Sequence, residues 1–236
     1  MITSHRLASL TAAVAVLSCV AAATAQAPTK LRTIHASRAK RYEATCKYPV
    51  LRSNTPLAEL ANRTIAADVR KQQQAFVRMA LQETAKEPPR NPYGFDASPM
   101  YQRYWFPRLY SVGMEFYEYT DGAHGNSYRV MYNFAEVDGK PQRMFLKDFF
   151  TNGSDYRKQV ETKLMDKLHH DSRADFIGEV VQLSPTQLNR FVVEPDGLRF
   201  WFDPYEVAAY AQGPVDIKLT LAELGPDFKR SLLLAR

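Results

Sequence analysis

An α+β fold, an antiparallel and hairpin-rich sheet with helices packed on it, is what this 236-residue sequence predicts. Three observations carry that prediction. One long segment has its apolar residues at helical spacing; short aromatic and β-branched runs alternate with period two between turn residues; and no regular strand–helix–strand rhythm joins them.

The helix is expected over about 56–86. Leu57, Leu60, Ala61, Ile65, Val69, Phe76, Val77, Ala80 and Leu81 share one face, and Arg63, Arg70, Lys71, Gln73 and Gln74 the other. Thr55 can cap it, Pro56 suits its first position, and Pro88-Pro89 stops it. Before it, residues 26–40 read as a basic lead-in or first edge strand, and Tyr42–Leu51 alternates like a strand. After it, Asn91–Phe95 reads as a loop and Met100–Tyr119 as β structure with Pro107 at a bend or edge. Asp121-Gly122-Ala123-His124-Gly125-Asn126 is a hairpin turn, and Val137–Lys140 a second turn. A helix capped by Ser154, a hairpin around Glu194-Pro195-Asp196-Gly197, a strand near 216–219 and a last helix over about 221–234 complete the pattern.

The composition, 45% apolar, 24% charged and 12% aromatic, is that of a globular chain with material for a sizeable core. It excludes disordered, collagen-like and repeat-fibre classes, and a net charge of +6 does not call for nucleic acid. His5 and Arg6 precede an uncharged run, Leu7–Ala25, that ends Ala23-Thr24-Ala25, so residues 1–25 read as a signal peptide cleaved before Gln26. Lipidation at Cys19, which alone would bring a membrane into play, is the competing reading of that segment. Cleavage leaves 30 basic against 25 acidic residues, or +5, and one cysteine, Cys46, which reads as buried and inert. Residues 41–236 form one domain, divisible into 41–120 and 121–236, in a periplasmic or secreted protein expected to be monomeric.

Two segments invite a functional reading. Asp121 or Glu115 beside His124 suits a general base held by a carboxylate, as in a hydrolase; equally, Gly122, Gly125, Asp121 and Asn126 are what a tight turn requires. Tyr205 and Tyr210 in Phe202–Pro214 suit an aromatic binding loop or a loop stapled to the core by its tyrosines. His169 and His170 are adjacent and diverge on a helix, no pair of histidines is three or four apart, and neither a phosphate-cradling nor a dinucleotide motif occurs. Neither a metal nor a cofactor is expected.

Tyr48-Pro49, the hairpin Tyr119–Asn126, Asp148-Phe149-Phe150 and the long motif Phe202–Pro214 together carry a resemblance over about residues 40–225. The chain resembles the extracytoplasmic domain of unknown function shared by RsiV-type anti-sigma factors and PdaC-type peptidoglycan deacetylases. It departs from that pattern at Asp121, where the usual loop has glycine. The resemblance implies an α+β binding domain outside the cytoplasm, one that recognises lysozyme in RsiV-type proteins and accompanies a separate catalytic domain in PdaC-type enzymes. It leaves no room here for that catalytic domain or for a sigma-binding segment. The expected function is a non-enzymatic binding module for peptidoglycan glycan or a lysozyme-like protein, using Tyr119, Asp121, His124, Asn126, Pro204, Tyr205 and Tyr210. A basic lysozyme would be steered poorly to a +5 chain unless its acids cluster on one face.

Overall fold

The computed structural model describes residues 29–105, 108–175, 178, 180 and 182–233. The signal-peptide segment, Cys19 and Pro107 lie outside the described residues. The first sheet has six strands in chain order: β1 (Thr29–Arg38), β2 (Tyr42–Leu51), β3 (Tyr93–Trp105), β4 (Leu109–Tyr119), β5 (Asn126–Val137) and β6 (Lys140–Met144). All neighbours are antiparallel except β2 and β3, which run parallel and are joined through helix α1 (Pro56–Glu83). The expected largely antiparallel α+β class holds, with that one parallel pair.

Thr55 caps α1 by accepting from the Ala58 N–H at 3.3 Å, and Pro56 opens it as expected. The helix ends three residues short of the expected 86, where the Thr84 hydroxyl bonds back to the Ala80 carbonyl. Gln73, placed by residue type on the polar face, is instead buried: its Nε2 donates to the Ile34 and Ala44 carbonyls at 3.3 and 3.1 Å. Those bonds remove the penalty of burying an amide. Tyr93–Phe95, expected as a loop, extend β3 because they pair with Tyr42–Ala44.

The even-numbered residues of β4 and β5, among them Val112, Met114, Phe116, Tyr132 and Phe134, pack beneath α1 in one core with Ala44, Cys46 and Tyr48 of β2. Cys46 is fully buried, and desolvation, helped by the charge of Asp96, pushes its thiol up to about 12, which makes it a poor nucleophile at neutral pH.

The odd-numbered face of the same strands meets a second sheet of β7 (Phe191–Glu194), β8 (Gly197–Phe202) and β9 (Val215–Thr220). Phe191 and Val193 turn their outer backbone groups away from β8. The Ser111 hydroxyl accepts from the Val193 N–H (2.9 Å), Asn133 Nδ2 donates to the Phe191 carbonyl (2.9 Å), and the Tyr101 hydroxyl donates to the Val193 carbonyl (2.5 Å). The Ser111 hydroxyl also donates to Asn133 Oδ1 at 2.6 Å. Three outward groups of the small sheet's edge are thus satisfied by side chains of the large one.

A second core lies around β7–β9 with helix α2 (Tyr156–His169) and the short helix α3 (Pro185–Leu188). Ser154 does not cap α2. Asp155 holds the cap position, and the Ser154 hydroxyl donates to the Thr151 carbonyl instead. His169 and His170 bond separately to the Met165 and Asp166 carbonyls. The expected last helix is absent from the described residues up to Leu233: Gly225 at φ +75° and the following Pro226 break it, and only a 3₁₀ turn at Arg230–Leu232 forms.

Two stability measurements follow from this packing. Ser111→Ala leaves the buried Val193 N–H and Asn133 Oδ1 short of a partner and is expected to destabilise by about 1–3 kcal/mol in urea unfolding. Glu223 accepts from the Thr220 N–H and hydroxyl and pairs with Lys167 at 2.8 Å; these outweigh desolvation and hold its carboxyl at about 2 instead of 4.5. Because the folded pKa is depressed, its contribution is present at neutral pH and is lost as pH falls from about 4.5 through about 2. Glu223→Gln should remove about 2 kcal/mol at neutral pH, and the difference from the parent should vanish in acid.

Candidate functional site

The β4–β5 turn and the loop after β8 meet at one end of the first sheet. Gly125 is buried beneath Tyr117, and a Cβ on it would overlap the Tyr117 ring and lie 2.6 Å from the Glu118 carbonyl oxygen. Its own carbonyl accepts the Tyr210 hydroxyl at 2.7 Å and lies 3.0 Å from His124 Nδ1. That contact places the Nδ1 proton toward Gly125 and leaves Nε2 as the acceptor. The His124 ring stacks on Tyr210 with centroids 4.1 Å apart at 20°, and Tyr210 continues to Tyr205 at 5.6 Å and 30°. Tyr205 is 57% exposed and sits at φ +70°, a conformation a bulky L-residue adopts only when its surroundings impose it. The Tyr205 N–H donates to the Ala208 carbonyl at 3.0 Å, which closes that turn.

The structure therefore brings His124, Tyr205 and Tyr210 into one exposed aromatic platform. Asp121 faces elsewhere. At φ +61° it holds a left-handed backbone, which favours glycine, and its carboxylate accepts from the Arg90 N–H (2.9 Å), the Asn91 N–H (3.1 Å) and Asn91 Nδ2 (3.1 Å). Desolvation acts to raise its pKa, but those bonds and the Arg90 charge outweigh it and hold the carboxyl below its ordinary value. Tyr119 belongs to the same cluster, its hydroxyl 3.3 Å from Asn91 Nδ2. Asn126 is exposed opposite Glu118 at the start of β5, and Pro204 is half-buried in the turn before Tyr205. Glu115 pairs with Arg129. Among the described residues neither Asp121 nor Glu115 is hydrogen-bonded to the His124 ring, which is oriented by a backbone carbonyl.

Asp203 ties the platform to Arg129 of the first sheet, and both acids flanking Tyr205 reach Arg190 just before β7. Asp203, 9% exposed, lies 3.1 Å from Arg129 Nη1 and 3.3 Å from Arg190 Nη1, and accepts the Arg129 N–H at 3.2 Å. Glu206 accepts from Arg190 at 2.5 Å and from the Asp203 N–H at 2.8 Å. Burial still pushes the Asp203 carboxyl up against the pull of both arginines. Arg129 and Arg190 escaped sequence reasoning because their partners are remote in the chain, Arg129 and Asp203 being 74 residues apart. Among the described residues no group of three or more His, Cys, Asp or Glu side chains is placed to hold a metal ion.

Residues 36–127 match the family model described as Deacetylase PdaC, and residues 147–222 match that described as Protein of unknown function (DUF3298). Together these matches bear out the resemblance to a shared domain of unknown function. No curated protein matches the chain. Two crystal structures are similar in fold. A DUF3298 family protein from Pseudomonas aeruginosa PAO1 is 17% identical with a TM-score of 0.63, over 89% of this chain and 98% of that one. A DUF3298 family member from Bacteroides fragilis NCTC 9343 is 19% identical with a TM-score of 0.53, over 86% and 94%.

Gly125→Ala is expected to destabilise by about 1–3 kcal/mol, since backbone and a packed ring cannot both yield. Gly122→Ala, where a Cβ meets only the His124 carbonyl oxygen at 3.6 Å, should stay within about 0.5 kcal/mol. Thermal unfolding of the pair measures the difference.

Proposed function

We propose that this chain is an exported binding module for a cell-wall ligand, and that the ligand at the His124–Tyr210–Tyr205 platform is peptidoglycan glycan. The observation that carries the reading is Tyr205: an exposed ring held at a strained backbone angle, in series with two further rings. Packing alone gives no reason to hold a tyrosine there, because a glycine would make the same turn without strain. Flat aromatic faces suit the apolar face of a sugar ring, while tyrosine hydroxyls and His124 Nε2 offer polar contacts to its hydroxyls. The resemblance to domains of wall-directed proteins supports the same ligand class, and the net positive charge suits an anionic wall polymer better than a basic protein.

The test is binding of purified residues 26–236 to soluble peptidoglycan fragments and, in parallel, to lysozyme. Saturable glycan binding is expected. Lysozyme binding alone would overturn the glycan assignment, and binding to neither would overturn the reading as a whole. Tyr205→Gly should abolish glycan binding while keeping or raising the melting temperature, since the strain disappears with the side chain. A loss of binding accompanied by a lower melting temperature would instead assign Tyr205 to holding the fold.

A further inference from the structure

The face of the first sheet beneath α1 ends in a cavity that the aromatic platform does not share. It has a volume of about 350 Å³ and lies between Gln72, Phe76 and Met79 of α1 and Phe95, Glu118 and Tyr128 of β3, β4 and β5. Three rings, Phe76, Phe95 and Tyr128, line it, and Phe116 packs behind them. Phe76 stacks on Phe95 with centroids 5.0 Å apart at 21°, and Tyr128 on Phe116 at 5.2 Å and 8°, with Phe95 and Phe116 in tilted contact at 6.1 Å between the two stacks. The Tyr128 hydroxyl is already committed, donating to Gln72 Oε1 at 2.5 Å. Gln72 in turn donates its Nε2 to Asp68 at 3.1 Å.

The charged group left facing this space is Glu118, half-buried and directly across the ladder from Phe95. Desolvation and then the like charge of Glu83 push its carboxyl up, so its ionised form lacks compensation. Glu118 is the one charged residue among the described residues of the lining, and the like charge of Glu83 acts on it, so this spot is locally acidic in a chain whose net charge is +6. Apolar walls accept a methylene stem, and a half-buried carboxylate without a counter-ion gains by acquiring one. An anionic ligand is repelled here, and a neutral one leaves Glu118 uncompensated.

We propose that this cavity is a subsite for a basic side chain, lysine or arginine, of a polypeptide partner, with the stem against Phe76, Met79 and Phe95 and the cationic head at Glu118. It is the local acid surface through which a basic polypeptide can engage an otherwise basic chain. It lies on the opposite face of β4 from Glu115 and Tyr117, so it stands or falls independently of the glycan reading.

The probes are Nα-acetyl-lysine methylamide and its arginine counterpart, with Nε-acetyl-lysine and norleucine derivatives as neutral controls, titrated into residues 26–236. Binding is followed through the Met79 methyl resonance. Saturable shifts are expected with the two cationic probes and not with the neutral ones. Glu118→Gln should weaken binding about tenfold at an unchanged or higher melting temperature, since the removed charge is one the fold disfavours. Tyr205→Gly should leave the affinity for these probes unchanged, which separates failure here from failure of the glycan platform. Equal binding of charged and neutral probes, no shift at Met79, or full affinity in Glu118→Gln would overturn the proposal.

Discussion

The arrangement of the molecule depends on how the free edge of a small sheet is closed. Strand β7 has β8 on one side only, so the outward N–H and C=O of Val193 and the C=O of Phe191 would be buried without partners. Ser111, Asn133 and Tyr101, from three strands of the large sheet, supply those partners directly. Each unmet group would cost on the order of 1–3 kcal/mol, so together these side chains select one placement of β7. Once β7 is fixed, β8 follows through its ladder, and with β8 goes the loop that carries Asp203, Tyr205 and Tyr210.

The salt-bridged cluster at that loop continues the same logic by different chemistry. Arg129, which projects from the face that also carries Asn133, reaches Asp203 and Glu115, while Arg190 reaches Asp203 and Glu206. Burial raises the Asp203 carboxyl even so, and its bonds to the Arg129 N–H and guanidinium and to Arg190 fix where the loop lies. What it positions is a turn that stores strain at Tyr205 and presents that ring beside Tyr210 and His124.

Asp121 shows how one residue type can serve a turn in two ways. Its backbone takes a left-handed angle of the kind that favours glycine, and its carboxylate then ties the turn to Arg90 and Asn91. An aspartate next to a histidine suggests a catalytic pair on paper. Here the carboxylate is fully engaged by the α1–β3 connection, and the imidazole is oriented by the Gly125 carbonyl. The residues that could be mistaken for a reacting dyad belong to the support and to the surface of a platform, respectively.

Helix α1, strands β2, β4 and β5 and the hairpin of β7 and β8 were legible in the sequence because their signals are local: period, capping residues and turn chemistry act within a few positions. Gln73, the start of β3 and the missing last helix were not, because a buried amide, a parallel pairing and a Gly-Pro break are decided by distant neighbours or by one local clash overriding a weak pattern. Local patterning was enough for the fold class, the two loops worth attention and the identity of their tyrosines. That His124 joins Tyr205 and Tyr210, that Asp121 does not, and that Glu118 faces an aromatic cavity emerged from the packing of the folded chain. The reason is physical: stacking and ion pairing between residues up to 86 positions apart, as between His124 and Tyr210, depend on how two sheets dock, and no local spacing encodes that.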